Sequence, residues 1–367
     1  MIPPMRIGID ARLHAYRPGG ISTYARELSR ALLELGHEEQ EYIVLQHWRE
    51  ARSWVSAANR ARLLTPPHHP WEAWALGLEL ASKRLHLLHS TDFIPPQMGA
   101  RRFVITIHDV AFMKYPEFLT AAARRHYQGK IHAAIQKADH ILSVSAATKD
   151  DIIQWLAVAP ERITVQHHGF REEFRPHTAA EIQQARERWK LPADYFLFVG
   201  TMEPRKNLSA LLRGYRMLRA QQAEAPALLL CAPEGWCSER IHQEVADAPE
   251  VIWWKQVPSA ALPALYAAAR ALVLPSHDEG FGLPALEAMA SGTPTILSDI
   301  PALREVAGEL GWWIQPDEPQ TIAAALSAAL EQGAPQEQER AAAIQRARRF
   351  SWRRSAQIAQ KVYASLR

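Results

Sequence analysis

The sequence has few of the features that would place it outside the ordinary globular proteins. Its 367 residues include only two cysteines, Cys231 and Cys237, too few for a disulfide framework, so both are expected to be reduced thiols. No apolar run approaches the roughly 20 residues that span a bilayer, and the amino terminus lacks a signal-peptide pattern. The net charge is only +3, which does not favour a nucleic-acid-binding protein. A cytoplasmic protein without a nucleic-acid partner is therefore expected.

Strand-like and helix-like segments alternate along the whole chain, which predicts parallel sheets with crossover helices. The chain is 48% apolar and 22% charged, so it can bury a core, and its length favours two or three domains. The predicted strands are residues 5–10, 42–46, 103–107, 141–144, 163–166, 195–199, 227–231, 251–254, 271–274, 295–297 and 312–314. The predicted helices lie near residues 22–35, 72–84, 121–137, 146–157, 206–221, 259–269, 284–291, 320–331 and 336–349. The alternation pauses in a loop-like stretch after residue 166 and then restarts, so we predict an α/β protein with two doubly wound domains.

The most informative segment carries two carboxylates, Glu279 and Glu287, eight positions apart. Pro284 suits the first turn of a helix, and Gly280 and Gly282 allow a backbone to approach a ligand without a Cβ in the way. The start of that helix would attract an anion, and carboxylates beside it suit the hydroxyl groups of a ribose or hexose. An acidic helix start is the alternative for two Glu alone, but the glycines and the preceding apolar strand favour a binding site.

This segment, EGFGLPALEAMASGTP, resembles the Glu-x7-Glu motif of the family-4 retaining glycosyltransferases, which have the GT-B fold. The resemblance extends over nearly the whole chain and implies two Rossmann-like parallel-sheet domains that face each other across a cleft. The first, residues 1–172, would bind the acceptor, and the second, residues 173–349, would bind the nucleotide sugar. Residues 350–367 would form a helix that crosses back to the first domain, and Ser351 is a suitable N-cap for it.

The resemblance also assigns roles in donor binding to the residues of this motif. Glu287 would bind the ribose hydroxyls of the donor, and Glu279 would contact the transferred hexose. The loop between them, Gly280, Phe281, Gly282 and Leu283, would offer backbone N–H groups to the phosphates and the sugar. Such donors would stabilise the leaving diphosphate as its charge develops.

Two segments of the first half carry further candidates. Gly19 and Gly20 stand between a strand and a helix; they form either an anion-approach loop or a plain turn, and similar enzymes place this loop near the donor. His108 follows the strand at 103–107, and its neighbour Asp109 could fix the tautomer of the ring. The string TIHDVAF resembles the family segment whose histidine lies against the donor sugar, which makes His108 a predicted catalytic residue.

The cations that would neutralise a diphosphate are predicted to follow a strand of the second domain. After Gly200 come Arg205 and Lys206, which open a predicted helix and bring side-chain charge to its N-terminus. The family carries Lys at the position of Lys206, but its frequent Arg after the strand glycine is Thr201 here, a role that Arg205 would take over. The chain has no Asp-x-Asp triplet, which metal-dependent sugar transferases of the other common fold contain. No metal and no cofactor are therefore expected.

These residues together predict a retaining hexosyltransferase that uses a nucleoside diphosphate sugar. The strings IHDVAF, GTMEPRKNL and PSHDEGFGLPALEAMASG favour the mannosyltransferase-like branch for cell-surface polysaccharide or glycolipid, with GDP-mannose or a UDP-sugar as donor and a glycan or lipid-linked acceptor. The alternatives are a nucleotide-sugar epimerase or a phosphorylase on the same fold, and a non-catalytic protein that binds a nucleotide sugar.

Basic residues of the first half allow a further hypothesis about location. They are Arg49, Arg52, Arg60, Arg62, Arg101, Arg102, Arg124 and Arg125. A solvated surface explains them most simply, while the functional interpretation is peripheral contact with an anionic membrane on its inner face.

Overall fold

The computed structural model describes residues 3–16, 19–50, 53–333 and 336–367. The chain forms two compact units. The first unit comprises Met1–Met113, Arg125–Gly169 and Ser351–Arg367, and the second comprises Lys114–Arg124 and Phe170–Phe350. The boundaries between the units thus lie at 169/170 and 350/351, within three residues of the predicted boundaries at 172/173 and 349/350. The grouping of Lys114–Arg124 with the second unit was not predicted.

The first unit contains a parallel sheet of seven strands. They are β1 (Met5–Asp10), β2 (Gln40–His47), β3 (Arg60–Leu63), β4 (Leu85–Ser90), β5 (Ala100–Ile107), β6 (His140–Ser143) and β7 (Ile163–Val165). Its connections carry the helices α1 (Gly20–Leu35), α2 (Glu72–Ala81), α3 (Ala111–Lys114), α4 (Ala121–Lys137) and α5 (Ala146–Leu156). The strand order β3-β2-β1-β4-β5-β6-β7 reverses direction between β1 and β4, which makes that point the expected ligand crevice of this sheet.

The second unit contains a parallel sheet of six strands. They are β8 (Tyr195–Val199), β9 (Ala227–Cys231), β10 (Val251–Trp254), β11 (Ala271–Leu274), β12 (Thr295–Ser298) and β13 (Trp312–Ile314). The helices are α6 (Ala179–Trp189), α7 (Leu208–Gln221), α8 (Glu239–Ala246), α9 (Leu262–Ala268), α10 (Leu283–Ala290), α11 (Pro301–Ala307), α12 (Pro319–Gln332) and α13 (Glu337–Ala347). The order β10-β9-β8-β11-β12-β13 reverses between β8 and β11, so ligands are expected where these two strands end.

The central strands of both sheets are buried on both faces, which is why they read as unbroken apolar runs. In β8 the side chains of Tyr195, Phe196, Leu197 and Phe198 are all fully buried. The two sheets confirm the predicted fold class of paired Rossmann-like parallel-sheet domains. They also contain two strands that the sequence analysis missed, β3 and β4.

The last helix, α14 (Trp352–Ser365), belongs to the first unit and packs against α1. Ser351 caps it, because its side chain accepts a hydrogen bond from the amide of Arg354. The Tyr363 hydroxyl lies 2.6 Å from Nδ1 of the buried His89, which fastens the helix to β4. Within the described ranges, no helix combines the length and the apolar character that a membrane crossing requires.

Candidate active site

A buried ion-pair cluster lies where β8 and β11 end. The Lys206 ammonium is 2.7 Å from Oε1 and 2.8 Å from Oε2 of Glu279, and the Ser276 hydroxyl donates to Oε1 at 2.8 Å. Glu279 is only 8% exposed. Burial alone would raise the pKa of Glu279, but the positive charges of Lys206 and Arg205 outweigh it and lower that pKa below its ordinary value. Glu279 is therefore a carboxylate at neutral pH.

The two cations come from a turn and not from a helix. The sequence analysis placed Arg205 and Lys206 at the start of a helix, whereas they lie in the short 3-10 turn Pro204–Lys206, and α7 begins at Leu208. Asn207 connects the two elements in the left-handed conformation, with φ of 55°. Its side-chain amide donates to the carbonyls of Pro275 at 3.0 Å and Pro316 at 2.7 Å. These bonds hold the turn against the segment that carries Glu279.

Arg205 is held by protein groups on both arms of its guanidinium. One arm lies 2.8 Å from the carboxylate of Glu203, and the other donates to the carbonyl of Asp278 at 2.8 Å and lies 3.5 Å from Glu279. Glu203 is itself buried. Arg205 thus contacts two carboxylates and a carbonyl of its own unit, whereas the sequence predicted that it neutralises a diphosphate.

Glu287 occupies α10 and is half-buried. The Tyr266 hydroxyl donates to its Oε2 at 2.9 Å. Burial raises the pKa of Glu287 to about 7, although the Tyr266 hydrogen bond and the charge of Arg171 act in the opposite direction. Both protonation states of this carboxyl are consequently accessible near neutral pH.

In the loop before α10, Gly282 cannot be replaced by a larger residue without a steric clash. Gly282 has φ of 99°, and a Cβ there would lie 2.6 Å from Cδ2 of Leu303. The Phe281 side chain is buried and meets the Phe350 ring edge to face at 5.6 Å. Gly280 is buried and Leu283 begins α10. At Gly200 a Cβ would meet the Phe198 ring at 3.2 Å.

The candidates of the first unit are Gly19, Gly20 and His108. Gly20 begins α1, and Gly19 has an extended backbone that any residue adopts, with open space around an added Cβ among the described residues. His108 lies directly after β5, and its Nε2 donates to the carbonyl of Thr91 at 2.8 Å, which leaves the lone pair on Nδ1 of the neutral ring. Burial lowers the pKa of His108, so the neutral form prevails at pH 7.

Asp109 was predicted to fix the tautomer of His108, but the hydrogen bond that fixes it goes from Nε2 to the carbonyl of Thr91. Oδ1 of Asp109 instead accepts a hydrogen bond from the amide of Ala111 at 3.1 Å. The Tyr24 ring meets His108 edge to face at 5.0 Å and helps to fix its orientation.

The sequence analysis missed several residues that support this site. Tyr266, Ser276 and Glu203 hold the predicted acids and cations, and nothing in the local pattern marks them. Lys114 is a fourth, since its ammonium lies 2.6 Å from Oδ1 of Asp278, next to Glu279. Lys114 begins the segment Lys114–Arg124, which belongs to the second unit. In the sequence it lies just after the string TIHDVAF, which is the signal that could have drawn attention to it.

The predicted site residues thus divide between the two units. Gly200, Arg205, Lys206, Glu279, Gly280–Leu283 and Glu287 all lie in the second unit, in the segments that follow β8 and β11. A cavity of about 420 Å³ in that unit is lined by Asp194 and Arg270 at the opposite, amino ends of these strands, away from the chemistry.

Comparison with known proteins identifies the family. The family described as "Glycosyltransferase Family 4" matches residues 18–174, and "Glycosyl transferases group 1" matches residues 180–350. The chain is 32% identical over 295 residues to O-antigen chain mannosyltransferase B of Escherichia coli, which covers 79% of this chain and 75% of that protein. It is also 31% identical over 236 residues to the serotype-specific mannosyltransferase WbdA of Escherichia coli, 60% of this chain but only 29% of that longer protein.

Solved structures share the fold at low identity. Sucrose-phosphate synthase of Thermosynechococcus elongatus superposes with a TM-score of 0.77 at 21% identity, covering 99% of both chains. HepE of Anabaena, solved in complex with UDP-glucose, gives a TM-score of 0.72 at 17% identity over 98% of this chain and all of that one. Together with the family matches, this similarity shows that the chain belongs to the family-4 glycosyltransferases and is a hexosyltransferase with the GT-B fold.

Proposed function

We propose that this enzyme is a retaining mannosyltransferase that transfers mannose from a nucleoside diphosphate sugar to a hydroxyl group of a growing cell-surface polysaccharide. The observation that carries the proposal is the convergence of Lys206 and Arg205 on Glu279 where β8 and β11 end. The similarity to O-antigen mannosyltransferase B of Escherichia coli supports mannose as the sugar and a polysaccharide as the product.

The donor would be held at both ends of its diphosphate. Glu287 would accept hydrogen bonds from the ribose hydroxyls, in an orientation that the Tyr266 hydroxyl supports. Glu279 would contact the hexose, and the backbone of the loop 280–283 would donate to the phosphates. GDP-mannose is the first donor to test and a UDP-sugar the second, since HepE of Anabaena was solved with UDP-glucose.

The positive charge for the leaving diphosphate would come from the protein without a metal ion or a cofactor. The Lys206 side chain is 11% exposed and that of Arg205 is 17% exposed, so each keeps a small accessible surface for a phosphate oxygen. Charge-assisted bonds to phosphate are strong at such largely desolvated positions. The Lys206 ammonium has three N–H donors, so it can offer one to a phosphate oxygen while it keeps both contacts to Glu279. Glu279 would then accept a sugar hydroxyl with a remaining lone pair.

Retention of the anomeric configuration would follow from attack on the same face as the departing phosphate. Both oxygens of Glu279 are engaged by Lys206, which disfavours this carboxylate as a nucleophile. In the proposed step, the acceptor oxygen forms its bond to the anomeric carbon as the bond to the diphosphate breaks. The leaving phosphate oxygen takes the acceptor proton. The lone pair on Nδ1 of His108 would accept a hydroxyl of the donor sugar.

The acceptor would be a glycan, free or linked to a lipid, and the enzyme would make peripheral contact with the inner face of an anionic membrane. The name of the Escherichia coli relative, an O-antigen chain mannosyltransferase, supports the glycan.

Thermal denaturation of the purified enzyme with a panel of nucleoside diphosphates and their sugars tests the donor. A ligand that binds only the folded state raises the melting midpoint, and we expect the largest rise with GDP-mannose. NMR analysis of the product with a mannose-terminated oligosaccharide as acceptor then tests the stereochemistry. An inverted anomer, or turnover of the donor to an isomer without acceptor, would contradict the proposal. The Glu287→Gln variant should show a smaller donor-induced rise of the melting midpoint.

A further inference from the structure

The outer face of α2 exposes large apolar side chains. Trp71, at the N-terminus of the helix, is 70% exposed, Trp74 is 60% exposed and Leu78 is 69% exposed. Their spacing of three and four places them on one side of the helix. The opposite side, with Leu76 and Leu80 fully buried, packs into the core beside β3. The folding of α2 therefore does not depend on its outer face.

Neighbouring elements extend this face. Leu64 follows β3 and is 67% exposed, and its amide donates to the Glu79 carboxylate of α2 at 2.7 Å. Trp48 follows β2 and is 50% exposed, and its amide donates to the carbonyl of Leu63 at 2.9 Å. Met98 is 45% exposed and lies against Gly77 of α2. We name the six residues Trp48, Leu64, Trp71, Trp74, Leu78 and Met98 the α2 patch.

The α2 patch concentrates the exposed large apolar side chains of the protein. Nine such side chains occur in the described ranges, and six of them belong to the patch. Singly scattered apolar residues on a surface need no explanation, whereas a contiguous group marks an interaction site. Tryptophan in particular is enriched at the boundary between the hydrocarbon and the headgroups of a bilayer.

The residues around the patch are basic and favour an anionic partner. The Arg49 guanidinium lies 5.5 Å from the centre of the Trp48 ring, Arg62 is exposed on β3, and Lys83 and Arg84 follow the end of α2. The nearby acids are engaged by the protein. Glu72 pairs with Arg12 at 2.6 Å, and Glu79 accepts the amides of residues 64 and 65. A basic rim attracts anionic headgroups and would repel the same rim of a second copy.

These positions refine the earlier hypothesis from basic residues. Arg49 and Arg62 stand beside the patch, whereas Arg102 pairs with Asp139 at 2.8 Å. Arg52 lies outside the described residues. Apolar side chains, and not the arginines alone, therefore define the contact surface.

We propose that the α2 patch inserts its tryptophan and leucine side chains into the interfacial layer of an anionic bilayer, with the basic rim on the headgroups. The enzyme would then work at the surface where a lipid-linked acceptor is presented, a point that rests on the proposed function. Membrane attachment itself does not depend on the identity of donor or acceptor.

Co-sedimentation of the full-length enzyme with vesicles tests the attachment. We expect binding to vesicles of phosphatidylglycerol and phosphatidylcholine, weakened by salt, and much weaker binding to phosphatidylcholine alone. The triple variant Trp71→Ser/Trp74→Ser/Leu78→Ser should lose on the order of tenfold or more in partitioning. Arg62→Gln/Arg84→Gln should lose about fivefold per residue. The matched control Trp155→Ser/Met217→Ser removes exposed apolar side chains of α5 and α7, which are 42% and 40% exposed, and should bind like the wild type.

Three results would overturn the proposal. The first is failure of the wild type to bind anionic vesicles at low salt, and the second is equal binding by the triple variant. The third is a dimer in sedimentation velocity that the triple variant abolishes, which would make a second copy the occupant. The donor-induced thermal shift of the triple variant separates failure of membrane docking from failure of the proposed function. An unchanged shift with lost vesicle binding supports membrane docking, while a wild type that binds vesicles but no nucleotide sugar refutes only the proposed function.

Discussion

The protonation of Glu287 gives the sharpest test of the donor site. Its pKa of about 7 means that the ionised fraction is roughly one-tenth at pH 6 and nine-tenths at pH 8. If the carboxylate accepts hydrogen bonds from the ribose, donor affinity rises with pH through this window. The dissociation constant for GDP-mannose should fall about tenfold from pH 6 to pH 8, equivalent to about 1.4 kcal/mol.

Isothermal titration calorimetry at half-unit pH intervals measures this dependence. A nucleoside diphosphate sugar is the right probe, because its phosphates stay ionised throughout the window and do not add their own titration. Glu287→Gln should bind more weakly at pH 8 and show a flat profile. Tyr266→Phe should shift the midpoint to higher pH, because the Tyr266 hydrogen bond lowers the pKa of Glu287.

The same pKa fixes the sign of a stability effect. The folded-state pKa lies above the ordinary value of 4.5, so the folded protein holds the proton more tightly than the unfolded chain. The protonated Glu287 therefore adds to the free energy of unfolding; this stabilisation is complete below pH 4.5 and is lost as pH rises through about 7.

The binding measurement has a clear negative outcome. A flat binding profile for the wild type, or an equally steep one for Glu287→Gln, would refute the assignment of Glu287 to the ribose.

Three further predictions concern the cations, the glycine loop and metals. Lys206→Met should lower kcat/KM by on the order of 10²-fold, more than it affects folding, because it removes charge from the leaving group; full activity in a steady-state assay would contradict that role. Gly282→Ala should cost about 1–3 kcal/mol in urea denaturation, because its Cβ would lie 2.6 Å from Leu303. Gly19→Ala should stay within about 0.5 kcal/mol, and equal losses at both glycines would disprove the steric argument. EDTA should leave the donor-induced thermal shift unchanged, and loss of the shift in EDTA would disprove neutralisation of the diphosphate by Lys206 and Arg205 alone.

The fold was largely predictable because its signals are local. Strands such as β8 and β11 are short, unbroken apolar runs, and Gly and Pro mark their ends, so their bounds agree with the prediction. The two missed strands lack that signal. β3 (Arg60–Leu63) alternates arginine with apolar residues, and β4 (Leu85–Ser90) contains two histidines.

The reason that β4 is nevertheless buried lies in distant partners. His89 is fully buried because the Thr106 hydroxyl, 2.7 Å from its Nε2, and the Tyr363 hydroxyl, 2.6 Å from its Nδ1, satisfy both ring nitrogens. Thr106 lies in β5 and Tyr363 in the last helix. A pattern read along the chain sees only a polar residue there.

Residues that are close along the chain specify the alternation of elements, the two doubly wound sheets, the family and the glycine-flanked pair Glu279 and Glu287, so all of these could be read from the sequence. Which groups meet, and how they ionise, depends on the folded chain. Lys206 and Glu279 are 73 positions apart, and Tyr266 and Glu287 are 21 positions apart. Burial and neighbouring charge set a pKa, and both exist only once the chain is folded. They lower the pKa of Glu279 and raise that of Glu287, although the two carboxylates belong to one motif.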